Sequence, residues 1–242
     1  MGAYQDIFER VEKKFILDEK TYREFMKRIE PYFEPDQYYK STIYNIYFDT
    51  PTNILVRNSI EKPLYKEKLR LRSYKVPNKE STVFIELKKK YKGVVYKRRV
   101  DMTLAEAEEF LGGGKAPGRN KQIEAELRYF MNFYKDCGPA MFLSYDRLAY
   151  KVIKDDGLRL TFDTHILYRQ YNLGVDKGTW GKELLSPGTR IMEIKIPGSF
   201  PMWLSRILTD LEIYPASFSK YGTAYTKELT QEIKKGKVIT CA

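Results

Sequence analysis

Histidine is nearly missing from this chain: His165 stands alone among 242 residues. With no second imidazole, a histidine metal centre or a nucleophile–histidine triad has nothing to be built from. The plain reading of His165 is a surface or hydrogen-bonded strand residue. Cysteine is almost as scarce. Cys137 and Cys241 lie far apart and offer neither a disulfide framework nor metal-ligand spacing. A reducing compartment, the cytoplasm, is the expectation. No apolar run approaches the roughly 20 residues that cross a bilayer, and the first residues lack a signal-peptide apolar core. Internal repeats and low-complexity segments are missing too. The glycines of 112–118 lack the Lys-Ser/Thr pair of a phosphate loop and follow a helical pattern rather than a strand, so they read as a flexible loop. Acidic residues are in deficit, 32 against 43 Lys plus Arg, a formal charge of +11. That excess points to a polyanionic partner: nucleic acid, a membrane surface or a phosphate-rich small molecule.

What is present is an alternation of charge and hydrocarbon. In Lys68-Leu69-Arg70-Leu71-Arg72, an extended strand puts three cations on one face and two leucines on the other. Glu86 and Lys88 oppose Ile85 and Leu87. Arg159, Thr161 and Asp163 oppose Leu158, Leu160 and Phe162. Glu193 and Lys195 oppose Met192, Ile194 and Ile196. Residues 8–16 repeat the pattern with Arg10, Glu12 and Lys14. Further strands are expected over 41–49, 94–100 and 141–152, the last placing Tyr145, Arg147 and Ala149 on one face. A turn at Asp155-Asp156-Gly157 leads into 158–168, and residues 172–189 read as loop.

Helical spacing supplies the rest. Asp18 caps a helix with Tyr22, Phe25, Met26, Ile29 and Phe33 on one stripe, ended by Pro31 and Pro35. Thr103 to Glu106 is a capping box. Asn120 caps a helix carrying Ile123, Leu127 and Phe130, with Gly138-Pro139 as its stop. Ser199 caps one carrying Phe200, Trp203, Leu204 and Ile207. Residues 215–222 form a turn or short helix, and a basic tail begins near Lys227. Without a clear linker, 1–242 reads as one domain.

One such strand is unremarkable, because charged residues are mostly exposed anyway. Several in one chain are different: like charges on neighbouring strands destabilise a sheet unless something negative lies against them. The expectation is a mixed strand-and-helix fold whose sheet curls so that the charged faces line a solvent-filled tunnel and the apolar faces seat the helices. Arginine forks along such a wall fit phosphate oxygens, and Glu193 could hold a divalent cation that bridges phosphates.

Seven motifs occur in order: Arg10-x-Glu12-x-Lys14, Lys68-x-Arg70-x-Arg72, Glu86-x-Lys88, Tyr145-x-Arg147-x-Ala149-Tyr150, Leu158 to Asp163, Met192-Glu193-Ile194-Lys195 and Ser217 to Gly222. Together they resemble the catalytic domain of the vacuolar transporter chaperone family, a branch of the CYTH-like triphosphate tunnel metalloenzymes. The likeness covers roughly residues 8–225. It implies an α+β fold, an antiparallel β-barrel tunnel of about eight strands with a charged interior, flanked by helices. It also implies a polyphosphate polymerase that moves the γ-phosphate of ATP onto a growing chain with Mn2+ or Mg2+. By position, Lys14, Arg70, Arg72, Lys88, Lys97, Arg147, Arg159 and Lys220 would bind phosphate, joined by Lys68 and Lys195. Tyr145 and Ser219 would add hydrogen bonds, and Glu193 with Glu12 would hold the metal. The wider superfamily often begins Glu-x-Glu-x-Lys. Here Arg10 takes the first place, trading a metal ligand for a cation, which suits polymer holding better than water activation. Partners implied are ATP and polyphosphate, or triphosphate and pyrophosphate. A membrane partner would come from another chain. Alternatives are a triphosphatase, a non-catalytic polyphosphate or inositol-phosphate module, and a nucleic-acid binder. The last would need aromatics such as Tyr44, Tyr47 and Tyr74 exposed among the cations.

Overall fold

A computed structural model describes residues 10–92, 94–153 and 157–235. The Arg10 side chain, Asp155, Asp156, Cys241 and the end of the basic tail, all invoked above, lie outside the described residues. The elements in order are β1 (Arg10–Leu17), α1 (Glu19–Ile29), β2 (Phe33–Asp49), α2 (Ile54–Glu61), β3 (Tyr65–Ser73), β4 (Thr82–Tyr91), β5 (Val94–Thr103), α3 (Leu104–Leu111), α4 (Lys121–Phe133), β6 (Gly138–Val152), β7 (Arg159–Arg169), β8 (Lys182–Glu183), β9 (Arg190–Pro197), α5 (Met202–Asp210) and α6 (Lys220–Lys234). Hydrogen bonding orders the strands β1-β9-β7-β6-β2-β3-β4-β5, with β8 on β7. The pairings β1–β9, β9–β7, β2–β3, β3–β4 and β4–β5 are antiparallel. The α+β class and the long antiparallel strands match the expectation. No helix among the described residues is long and apolar enough to cross a membrane.

The chain folds into two compact units. The first comprises Met1–Ser41, Tyr145–Ile166 and Leu185–Phe218. Its core joins Phe15 and Leu17 of β1 to Leu160 and Phe162 of β7 and Met192 and Ile194 of β9. Phe25 and Ile29 of α1 and Leu204 and Ile207 of α5 complete it. The second comprises Thr42–Ser144, Leu167–Leu184 and Ser219–Ala242. There Ile46 and Phe48, Leu69 and Leu71, Ile85 and Leu87 pack beneath Phe110 of α3 and Leu127 and Phe130 of α4. In both units the apolar residues of the alternating strands form the core, while Arg72, Glu86, Asp163 and Glu193 of the charged faces are buried as well.

The helix starts follow local chemistry. The Asp18 carboxylate accepts from the Thr21 amide at 2.7 Å. Thr103 and Glu106 form the reciprocal capping box, and Asn120 caps α4 through the Ile123 amide. Other expectations failed at their ends. Phe33 opens β2 rather than closing α1, and Pro35 sits inside that strand, although Phe33 still reaches the core. Gly138-Pro139 starts β6; α4 has already ended at Phe133. Pro201, not Ser199, precedes α5 and makes no side-chain cap. Residues 172–189 contain the two-residue β8. The segment 220–234 is one helix, α6; the basic tail from Lys227, expected as helix or frayed, is helical as far as Lys234. Helix α2 was not foreseen. It lies between left-handed Asn53 and Lys62, and its amides at Leu55 and Val56 are capped by Asp49, six and seven residues earlier.

Candidate anion-binding site

Register places the charged residues of the second unit in cross-strand rows. Lys68, Lys88 and Lys97 stand opposite one another across β3, β4 and β5. The next row, two residues along, is Arg70, Glu86 and Arg99. Three lysines adjoin one another across these strands, and their like charges make a local field that attracts anions.

Glu86 is the centre of the second row and only 2 % exposed. Arg70 donates Nε to its Oε2 at 2.7 Å, and Lys97 Nζ lies 2.7 Å from Oε1. Arg72 and Arg99 each approach to 3.7 Å. Burial by itself would push the Glu86 pKa up; the charges of Arg70, Arg72 and Lys97 outweigh it and hold the carboxyl well below the usual range. One buried carboxylate thus gathers four cations, leaving local positive charge in excess.

Neighbours fix these cations. The Asn45 Oδ1 accepts from Arg72 Nε at 3.0 Å, and Asn45 Nδ2 donates to the Leu143 carbonyl. The Arg99 guanidinium lies 3.6 Å from the Phe84 ring centroid. Lys68 Nζ donates to Ser219 Oγ at 3.0 Å, and the same oxygen accepts from the Gly222 amide as the cap of α6. Lys220 is the first residue of that helix, whose N-terminal dipole also favours an anion.

Tyr47 joins this group. Its hydroxyl accepts from Arg70 Nη1 at 3.2 Å, and its ring stacks on Tyr221 at 4.7 Å. Burial pushes the phenol up, but Arg70, Lys68 and Arg72 prevail and pull it down to about 8. The sign follows. The phenolate's contribution to stability is present above the unfolded value of 10.0 and is lost as pH falls through about 8. For a bound polyanion the effect opposes: above about 8 a phenolate adds negative charge among the same cations. Tripolyphosphate affinity is therefore expected to fall severalfold between about pH 7 and pH 9, and Y47F should flatten that fall. Burial also lowers Lys97, which Glu86 counters, so a lysine share of the pH dependence should survive in Y47F. The check is phenolate absorbance together with titration calorimetry. An identical pH profile in Y47F would refute the assignment.

In the first unit a second group assembles. Across β1, β9 and β7 the rows are Lys14, Glu193, Thr161 and Glu12, Lys195, Arg159. Lys195 Nζ lies 2.6 Å from Glu193 Oε1, and Lys14 Nζ lies 3.8 Å from Oε2 and 3.4 Å from Glu12. Lys14 also donates to the Phe218 carbonyl. Burial would raise the Glu193 carboxyl; Lys195, Lys14 and Arg147 hold it well below the usual range. Asp163, fully buried, accepts from Arg147 Nε and Nη2 at 2.6 and 2.8 Å. Burial disfavours the Arg147 charge, and Tyr145 and Asp163 more than restore it. The guanidinium lies 5.3 Å from the buried Tyr145 ring. Arg159 Nε is 4.0 Å from Asp36.

The expected site residues therefore fall into two groups, one in each unit. Arg70, Arg72, Lys68, Lys88, Lys97, Ser219 and Lys220 belong to the second unit; Glu12, Lys14, Tyr145, Arg147, Arg159, Glu193 and Lys195 belong to the first. Sequence reasoning gave no role to Asn45, Arg99 or Asp163, none to Glu86 beyond its motif, and named Tyr47 only as a stacking aromatic for a nucleic-acid binder. For Asn45, Glu86 and Asp163 the signal was an acid or amide inside an otherwise basic alternation.

The donors suit a hard divalent cation. Among the described residues no three His, Cys, Asp or Glu side chains gather into an all-protein cage. Mg2+ and Mn2+ need less than that, since one or two carboxylates plus phosphate oxygens suffice. Glu193 and Glu12 share Lys14, and the buried Thr161 hydroxyl opposite Glu193 has no hydrogen-bond partner. These three oxygens would hold the ion, with Lys14 released toward phosphate.

Comparison with solved structures agrees on fold. A candidate adenylate cyclase from Bacillus halodurans matches with a TM-score of 0.54 at 16% identity, over 87% of this chain and 93% of that one. One from Vibrio parahaemolyticus matches with a TM-score of 0.50 at 12% identity, over 91% and 99%. At such identities the likeness shows the fold alone. A comparison with curated proteins gives no match. The chain belongs to the VTC domain family, whose profile matches residues 9–228.

Proposed function

We propose that the chain is a metal-dependent polyphosphate polymerase that transfers the γ-phosphoryl group of ATP to a growing polyphosphate. The observation that carries the reading is the pair of rows Lys68–Lys88–Lys97 and Arg70–Glu86–Arg99. They repeat cationic charge along the strands at about 6.7 Å, two residues of strand rise, which suits a linear chain of phosphates. The attacking group is a terminal phosphate oxygen, anionic already, so no general base is needed. Catalysis then rests on alignment and on stabilising charge at the transferring phosphoryl group. In the second unit Arg70 and Arg72 supply planar forks and Lys88 and Lys97 mobile point charges; in the first unit Arg147 and Arg159 supply forks and Lys14 a point charge. A bound divalent ion at Glu193 and Glu12 would neutralise β- and γ-phosphate charge. Adenine has no matching surface in these rows and would stay outside them.

The deciding assay is ATP with Mn2+, followed by gel separation of products. Long polymer supports the proposal, inorganic phosphate alone means a triphosphatase, and binding without turnover means a sensor module. Arginine geometry provides a second check. R70A should weaken polyphosphate binding by about 1.5–3 kcal/mol, the range for hydrogen bonds to charged groups, and R70K should recover only part of it. Lysine behaving like arginine would reduce these residues to a generic basic surface.

A further inference from the structure

One surface of the second unit is left unused by this reading. At the turn joining β4 to β5, Tyr91, Val94, Val95 and Tyr96 are all exposed. Register places Tyr65 beside Tyr91 and Tyr91 beside Val94. The Lys92 amide donates to the Leu64 carbonyl at 2.9 Å, which brings Leu64 to the same tip. Leu64 is 71 % exposed, an unusual position for an aliphatic side chain beside two tyrosines.

Cations surround this apolar tip. Lys66 and Lys90 are cross-strand partners, and Lys62 and Lys92 flank them, both exposed. Lys66 is lowered first by burial and then by repulsion from Lys90 and Lys62. Lys89, by contrast, has Glu67 at 3.9 Å and Glu126 at 3.6 Å. Lys66 donates to the Ser59 carbonyl at 3.2 Å, and the lysines nearest the tip crowd one another.

We propose that the β4–β5 turn docks on an anionic membrane surface. Valine and leucine would enter the headgroup–acyl boundary, tyrosine would sit at headgroup level, and the lysines would meet anionic phosphates. Nucleic acid fits less well, because Leu64, Val94 and Val95 cannot stack on bases. A second copy pairing along β5 fits less well too. That strand carries Lys97, Arg98 and Arg99, and lysine and arginine on an end strand oppose edge-to-edge association.

The test is cosedimentation of the full chain with phosphatidylcholine vesicles, with and without phosphatidylserine. Excess tripolyphosphate is added to occupy the Arg70 and Lys14 groups. Binding is expected only with phosphatidylserine. Each lysine near the surface is worth a factor of about 5 at about 1 kcal/mol, so K90A/K92A should lower partitioning about 25-fold. V94S/V95S leaves charge unchanged and should also weaken binding. Y96W should show blue-shifted emission on adding vesicles, relative to wild type, which purely electrostatic adhesion would not produce. All five substituted positions are exposed, and unchanged melting temperatures confirm the fold. The proposal is overturned by no binding to phosphatidylserine vesicles or by binding indifferent to both double variants. A reversible dimer that V94S/V95S abolishes would also overturn it, since a second copy would then be the occupant.

Discussion

E86Q is expected to destabilise the protein by about 3–5 kcal/mol, the range for a buried ion pair that loses one partner. For a chain of this size that lowers the melting temperature by roughly 6–20 °C. The reason is the cluster itself: Arg70, Arg72, Lys97 and Arg99 converge on one carboxylate that is 2 % exposed. Glutamine keeps the shape and removes the only negative charge in that row. The pH dependence follows the depressed pKa of Glu86. Its stabilising contribution is full above the unfolded carboxylate pKa and is lost as pH falls through the lower folded value. E86Q should therefore lack part of the acid-unfolding limb of the wild type. A bound anion can replace the missing charge. Ligand at a hundredfold excess over its Kd stabilises by about 2.7 kcal/mol, and tripolyphosphate should raise the melting temperature of E86Q by more than that of the wild type. A melting temperature within about 2–4 °C of wild type, equivalent to about 1 kcal/mol, would mean that Glu86 does not hold the cations.

E193Q has the largest expected effect on activity. Loss of a metal that neutralises phosphoryl charge costs several kcal/mol in the transition state, a fall in turnover of about a thousandfold. Polyphosphate binding should move the other way. Glu193 occupies Lys195 at 2.6 Å and Lys14 at 3.8 Å, so glutamine leaves both ammonium groups with more charge for phosphate. The measurement pairs turnover across a Mn2+ titration with tripolyphosphate binding in the absence of metal. Full activity at saturating Mn2+ would remove Glu193 as the ligand. Binding weakened along with turnover would make its role structural.

The alternating strands were legible because period two is a local property. Once Leu69, Leu71, Ile85 and Leu87 are assigned to a core, Lys68, Arg70, Glu86 and Lys88 have no other face to occupy. The caps at Asp18, Thr103 and Asn120 were legible for the same reason, since donor and acceptor lie within three residues. The family motifs then supplied roles that no spacing contains.

Tertiary structure decided what depends on pairs distant in sequence. Helix α2 is capped by Asp49 from six residues away, and that carboxylate also accepts the hydroxyl of Tyr221, 172 positions on. Burial pushes the Asp49 carboxyl up, against the hydrogen bonds that favour its charge. Strand β2 runs back to Phe33 and takes in Pro35, beyond the alternating stretch 41–49 that the side-chain pattern marks. Register alone put Glu86 between Arg70 and Arg99, and Thr161 beside Glu193. A shift of one residue would have sent each of those charges to the core face. The sequence determined which residues are charged and which face they share. The fold determined which charges meet, because Coulomb energy depends on distance across strands and on burial, and neither is written in residue spacing.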